Sequence, residues 1–243
     1  MDRKVYERLE ALQSDHWWFR GRRQILKNLL SQLGISKQTK ILEAGVGTGG
    51  NLEMLSHLGE VSGFEHDEQA LELAREKGDF PLSPGTLPGG KIDLEDNYDL
   101  VVAFDVIEHI EDDHASAVRL KEMLKPDGRF VMTVPAFPFL WSRHDETHHH
   151  FRRYTRAELN KKLEDAGYQV EYISYFNSLM FPVVVAVRFA KRLLGLKDVA
   201  DDAMPSKPLN GILTKVFGFE RHWVGRLAVP FGVSLVAVAR KPA

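Results

Sequence analysis

The segment that most limits the folds open to this chain is "KILEAGVGTGGNLEMLSHLG", Lys40 to Gly59. A short apolar run ends at Glu43 and Gly45, glycines recur at 45, 47, 49 and 50, and a helical pattern begins at once. A strand that turns this sharply into a helix is the opening of a βαβ unit, which needs a parallel sheet. The alternation then continues. "VSGFE" (Val61 to Glu65) reads as a strand, and His66 to Gly78 as a helix with acids in its first turn and glycine at its end. A short third strand near Phe80 to Leu82 is crowded by prolines, and Tyr98 to Asp105 has the unbroken apolar centre of a buried strand. "DDHASAVRLKEMLKPDG" predicts a helix stopped by Pro126 and Gly128, followed by the strand "RFVMTVP". A helix opening on the capping pair Thr155 and Glu158, the strand "YQVEYISYF" and a closing strand "VSLVAVARK" complete the pattern. Residues 178–228 break it, being apolar, basic and punctuated by proline. The expectation is an α/β fold of Rossmann-like type: a seven-stranded, mostly parallel sheet with helices on both faces. In such sheets ligands bind beyond the carboxyl ends of the strands.

With 243 residues, 44% of them apolar and 27% charged, the chain can bury one large core. A net charge of -2 argues against a dedicated nucleic-acid binder. There is no cysteine, which removes disulfides, thiol catalysis and cysteine-held zinc, and fits a cytoplasmic protein. The N-terminus is charged from its second residue and does not read as a signal peptide. Leu179 to Leu196 is the most apolar segment, but its uncharged run stops at Arg188, far short of the roughly 20 residues of a membrane span. Its Phe181, Val184, Val187, Leu193 and Leu194 beside Arg188, Lys191 and Arg192 suit a lipid-facing surface or a greasy acceptor, and equally a helix packed on the sheet or on a second copy.

Gly45, Gly47 and Gly50 satisfy G-x-G-x-x-G, and Gly45, Gly47 and Gly49 satisfy G-x-G-x-G. Glycines here let the backbone approach a ligand, and Glu65, about 20 residues on, stands where a carboxylate can hold a ribose diol. A dinucleotide is one reading. Against it, Glu43 at the strand tip suits a cationic ligand better than a pyrophosphate.

"NYDLVVAFDVIEHIEDD" followed by "LKEMLKPDGRFVMTVP" completes a pattern. Together with the glycine loop, it resembles the class I S-adenosylmethionine-dependent methyltransferases, in the small-molecule branch that includes ubiquinone-biosynthesis O-methyltransferases. The resemblance spans about Lys40 to Tyr172 plus the last strand. It implies that Glu43, Gly45, Gly47 and Gly49 surround the methionine and ribose part of S-adenosylmethionine. Glu65 would hold the ribose, with His66 beside the adenine; Thr86 and Leu87 would pack on the adenine, and Phe104 and Asp105 would lie beneath the sulfonium. The acid that relatives carry before the adenine segment is replaced here by Gly85 and Thr86. The resemblance also implies one domain in four parts: N-terminal lid helices (1–38), a cofactor core (39–177), a substrate-side insert (178–228) and the last strand (229–243). Within the lid, "HWWFRGRR" offers Arg20 or Arg23, Arg20 favoured, for the methionine carboxylate, and Trp17 or Phe19 for an acceptor pocket; filling core is the plainer role for these aromatics.

Two polar stretches remain. "DVIEH" sets Asp105, Glu108 and His109 just past the fourth strand, and "DETHHHFRRYT" follows the fifth. Asp105, Glu108, His109 and His150 resemble the acid-x-x-Glu-His plus distant histidine set by which some methyltransferases hold a divalent metal against an acceptor hydroxyl. His109, His150 and Tyr154 are alternatively candidates for a catalytic base, and a purely structural role is the third reading. His148 and His149 match nothing fixed in the resemblance. The expected reaction is methyl transfer to a small-molecule or lipid-linked acceptor, at oxygen, by a monomer or homodimer with peripheral membrane contact through 178–228. A non-catalytic S-adenosylmethionine-binding protein is the alternative from another class.

Overall fold

The structure, a computed structural model, describes residues 10–194 and 203–243. The first residues of the expected lid and the middle of the expected insert therefore lie outside the described residues. Helix α1 (Trp17–Ser31) leads into strand β1 (Lys40–Ala44), helix α2 (Leu52–Ser56), β2 (Glu60–Glu65) and α3 (Glu68–Arg75). Strands β3 (Leu82–Pro84) and β4 (Tyr98–Phe104) follow, then α4 (Asp113–Glu122), β5 (Leu124–Pro135), α5 (Arg143–Thr147) and α6 (Arg156–Asp165). Strand β6 (Gln169–Phe176), helices α7 (Phe181–Leu193) and α8 (Lys207–Gly218), and β7 (Ser234–Arg240) close the chain.

The seven strands form one sheet in the order β3-β2-β1-β4-β5-β7-β6. All neighbours are parallel except β7, which runs antiparallel to both β5 and β6. The central strands are apolar on both faces because helices cover both. Two cores result: one of Leu120, Phe130, Leu159 and their neighbours, the other of Leu26, Leu55, Val102 and theirs.

Two details differ from expectation for physical reasons, and a third agrees with it. Strand β3 starts at Leu82 and contains Pro84, which is tolerated because β3 is the sheet edge and needs no ladder donor there. Helix α4 ends at Glu122, and Pro126 and Gly128 lie inside β5, where Asp127 takes a φ of 61° and the pairing with β4 slips. Helix α6 opens on the expected capping box: the Thr155 N–H donates to Glu158 at 2.8 Å, and the Glu158 N–H to the threonine oxygen at 3.3 Å.

Helix α1 packs across α8 rather than floating over the sheet. A Cβ on Gly21 would lie 2.6 Å from the Phe217 ring, so only glycine permits this approach. The Trp17 N–H donates to Asn210 Oδ1 at 2.8 Å, and Asn210 Nδ2 donates to the Asp15 carbonyl at 2.8 Å. The start of α1 and helix α8 thereby share one anchor.

Candidate active site

Apart from the candidates on α1, the candidate stretches emerge from the carboxyl ends of β1 to β5, so the sheet collects them along one edge. At the tip of β1, Glu43 is 1% exposed. One of its oxygens accepts from Asn51 Nδ2 at 2.8 Å, and the other has no partner. Burial pushes its carboxyl up to about 7, against the pull of the Asn51 hydrogen bond. A buried acid with a vacant acceptor calls for a cation or a donor from outside the chain. In front of it the loop takes left-handed φ values at Gly45 (70°), Gly47 (54°) and Gly49 (84°). A Cβ on Gly45 would lie 2.8 Å from Val106, whereas at Gly47 it would meet nothing within 4 Å, leaving an open cradle along the backbone.

Glu65, at the end of β2, takes the Gly47 N–H at 2.9 Å on one oxygen. The other takes the N–H groups of His66 and Asp67 at 3.0 and 3.1 Å. His66 Nδ1 lies 2.7 Å from the same carboxylate, which pushes the imidazole pKa up. Past β3, Leu87 is buried and Thr86 exposed. The glycine loop is also tied to the segment before α1, where Thr48 Oγ1 donates to Gln13 Oε1 at 2.9 Å.

At the end of β4, Phe104 is buried and Asp105 adopts a φ of 57°, a strained conformation that turns its carboxylate off the strand line. That carboxylate pairs with Arg22 of α1. The Arg22 guanidinium sits 4.5 Å from the centre of the Trp18 ring. Arg20 is exposed, so Arg22, not the favoured Arg20, is the α1 cation that the structure brings to the β4 tip. Sequence periodicity carried a signal: Arg22 shares its helix face with Ile25, Leu26 and Leu29, and a cation on an apolar face requires a partner.

Glu108, His109 and His150 converge. One ligand atom of each lies within 4.8 Å of the others, which makes them a possible metal triad. Glu108 is 0% exposed and neither of its oxygens has a partner; burial, then the Asp105 carboxylate, pushes it well above the usual carboxylate range. The His109 and His150 rings meet edge to face at 4.5 Å. Burial, then the neighbouring His150, pushes His109 down to about 3, so it is neutral at physiological pH and keeps a lone pair. Asp105, expected in the same set, is instead taken by Arg22.

Behind His150 stands a residue the sequence reading did not single out. Asp145, 0% exposed, lies 2.9 Å from His150 Nδ1 and accepts from Arg153 Nε at 2.8 Å and from the Ser142 N–H at 2.8 Å. These partners hold its carboxyl far below the usual range despite burial. His144, also passed over, and His148 lie 4.2 Å apart with their rings tilted, and they extend the ring cluster toward His150. His149 is exposed, with a φ of 54°, and stays outside it. Tyr154 is not brought to the cleft: it is 2% exposed and donates to Asp113 at 2.9 Å, in a network with Arg152 and Lys162. Burial and the Asp113 carboxylate push its phenol far up, which removes it as a base.

Comparison with known proteins decides the family. Residues 17–173 match the methyltransferase domain family. The chain belongs to that family. It is 29% identical over 170 residues to a Mycolicibacterium smegmatis protein named a "probable S-adenosylmethionine-dependent methyltransferase", covering 67% of this chain and 63% of the relative. It is 31% identical over 99 residues to the ubiquinone biosynthesis O-methyltransferase of Bradyrhizobium diazoefficiens, covering 39% of each. The match thus spans less than two thirds of either curated relative. A chain of the solved complex between the Haloferax volcanii Trm112 methyltransferase activator and a methyltransferase superposes with a TM-score of 0.65 at 17% identity, covering 98% of this chain and 95% of that one. The fold of this methyltransferase-family chain is therefore the class I fold, and the glycine loop, Glu65 and the β4 tip occupy the carboxyl edge of its sheet.

Proposed function

We propose that the protein is an S-adenosylmethionine-dependent methyltransferase acting at an oxygen of a small-molecule or lipid-linked acceptor. The observation that carries this is Glu43, a buried carboxylate with one unpartnered oxygen beside the open backbone cradle of Gly47. These residues fit a ligand that is cationic at one end and needs close backbone approach. Gly45, Gly47 and Gly49 would line it, Glu65 and His66 would take the ribose and adenine side, and Thr86 and Leu87 would flank the adenine. Phe104 and Asp105 would form the floor, and Arg22 takes the part expected of Arg20, exchanging Asp105 for the ligand's carboxylate. Bound there, S-adenosylmethionine supplies a methyl group already activated by its sulfonium, so the protein's contribution is mainly alignment and exclusion of water. In this reading residues 10–38 act as the lid and the described parts of 178–228 as the acceptor-side wall.

An acceptor hydroxyl needs its proton removed. In this reading His150 would do that work, supported by the Asp145 contact that fixes the ring through Nδ1 and leaves the other nitrogen for the acceptor. A second reading rests on the two unpartnered oxygens of Glu108: Glu108, His109 and His150 would hold a divalent ion, which lowers the pKa of a bound hydroxyl. Labelled methyl donor incubated with soluble and lipid fractions of cell extract tests the function. Label transferred to neither fraction, despite S-adenosylhomocysteine binding, would leave a binding protein without catalysis. Turnover that survives exhaustive chelation would remove the metal reading and keep the base.

A further inference from the structure

Helix α7 is built inside out. An ordinary surface helix turns its apolar stripe inward and its charges to solvent. In α7 no residue is fully buried; Arg188 and Lys191 are half-buried, while Val183, Val187, Phe189, Leu193 and Leu194 are exposed. Phe189 and Leu193 are 60% and 78% exposed. The smaller Pro182, Ala186 and Ala190 are exposed as well, so the solvent side of the helix is apolar except for Arg192 near its end. Scattered exposed apolar residues need no explanation, but a continuous helix face of them does.

The helix is also fastened in this orientation. Phe181 packs on Phe137 and Phe231 at 5.7 and 5.6 Å, and Arg192 donates to the carbonyls of Phe139 and Trp141 at 2.9 and 2.8 Å. Its root is the carboxyl end of β6, at the same sheet edge as the histidine loop. Phe139, 51% exposed, extends the apolar surface toward that loop.

We propose that the outer face of α7 docks in the plane of an anionic lipid bilayer. Charge complementarity argues for this occupant: Arg192 is exposed beside the apolar face, and Ser178 to Leu196 carries Arg188, Lys191 and Arg192 and no acidic residue, a charge of one sign that anionic headgroups complement. At 13 residues the helix is about 20 Å long, too short to cross the roughly 30 Å hydrocarbon layer, so it lies along the interface. The docked face opens beside the acceptor side of the cleft, so a membrane-held acceptor would arrive without crossing water. The inference rests on the lipid-linked arm of the proposed function only for that last step, because docking is read without turnover.

The test is flotation of the whole chain with vesicles of phosphatidylcholine alone and of phosphatidylcholine with about 30% phosphatidylglycerol. The variant Val187→Glu with Phe189→Glu changes only exposed positions, and its melting curve checks folding. Wild type should float with the anionic vesicles, weaken as salt rises, and bind at least about tenfold better than the variant. The anionic vesicles should also exceed the neutral ones. Wild type that floats with neither vesicle, or a variant that floats equally well, would overturn the proposal. So would a wild-type dimer that the variant converts to monomer with no vesicle binding in either. Docking with no methyl transfer to any lipid would retain the surface and fail the lipid-acceptor reading alone.

Discussion

Replacing Glu43 by glutamine should stabilise the protein while disabling it. Glutamine keeps the oxygen that accepts from Asn51 and puts an uncharged amide where the second carboxylate oxygen has no partner. The carboxyl is raised from 4.5 to about 7 by burial, so between those values the folded chain holds a proton that the unfolded chain releases. Stability from this group is therefore full below about 4.5 and is lost as pH rises through about 7. At about 1.4 kcal/mol per pH unit, ionising Glu43 in the folded chain costs about 3 kcal/mol. For a chain of this size that is about 6–12 °C in melting temperature. Melting curves of both proteins from pH 5 to 8.5 without ligand should show the difference opening steadily in favour of the variant. At pH 8 the variant should also bind S-adenosylhomocysteine at least about tenfold more weakly, since it no longer offers a carboxylate to the ligand's ammonium. Curves that run parallel to within about 0.5 kcal/mol would refute the argument, because a carboxyl buried without compensation cannot be pH-silent. A stabilised variant with undiminished ligand binding would keep the electrostatics and refute the assignment of the site.

Three further outcomes follow from the geometry. Arg22→Met keeps the side-chain stem on Trp18 and should weaken S-adenosylhomocysteine binding by about tenfold or more in calorimetry, whereas Arg20→Met should stay within about twofold; the reverse order would return the role to Arg20. Tyr154→Phe removes the hydrogen bond to Asp113 and should cost about 1–2 kcal/mol in urea unfolding. Its turnover should hold within about twofold, where loss of a general base would cost about 10²-fold or more. Asp145→Asn should cost about 3 kcal/mol or more, because Arg153 would keep a buried guanidinium without its counter-charge; an unchanged urea midpoint would place that charge in solvent.

The legible and illegible parts of this molecule divide by the range of the interaction involved. The βαβ opening, the buried strands and the Thr155–Glu158 cap are local patterns, and all of them hold. So does the placement of Glu43, Glu65 and Asp105 at strand tips, because the parallel strands β1, β2 and β4 put their tips on one edge. What failed to show in the sequence depends on which side a helix presents. Arg20, Arg22 and Arg23 are close neighbours in the chain; periodicity puts Arg22 on the apolar face, but its pairing with Asp105 shows only once α1 is packed, on Phe217 through Gly21 among others. Tyr154 sits in a run of conspicuous polar residues, yet its backbone pairs with Pro135 and Ala136 at the end of β5, and that pairing directs the ring to Asp113 in the core.

Asp145 was hidden for another reason. In the chain it reads as one acid of a short helix start, and it does close a capping box with Ser142. Only the fold shows that the same carboxylate also clamps His150 and Arg153. One buried charge thus ties the cap of a five-residue helix, the orientation of a candidate base and the position of a guanidinium into one unit. A change at any one of them reaches the other two, so Ser142 and Arg153 belong to the candidate site as fully as the histidine between them.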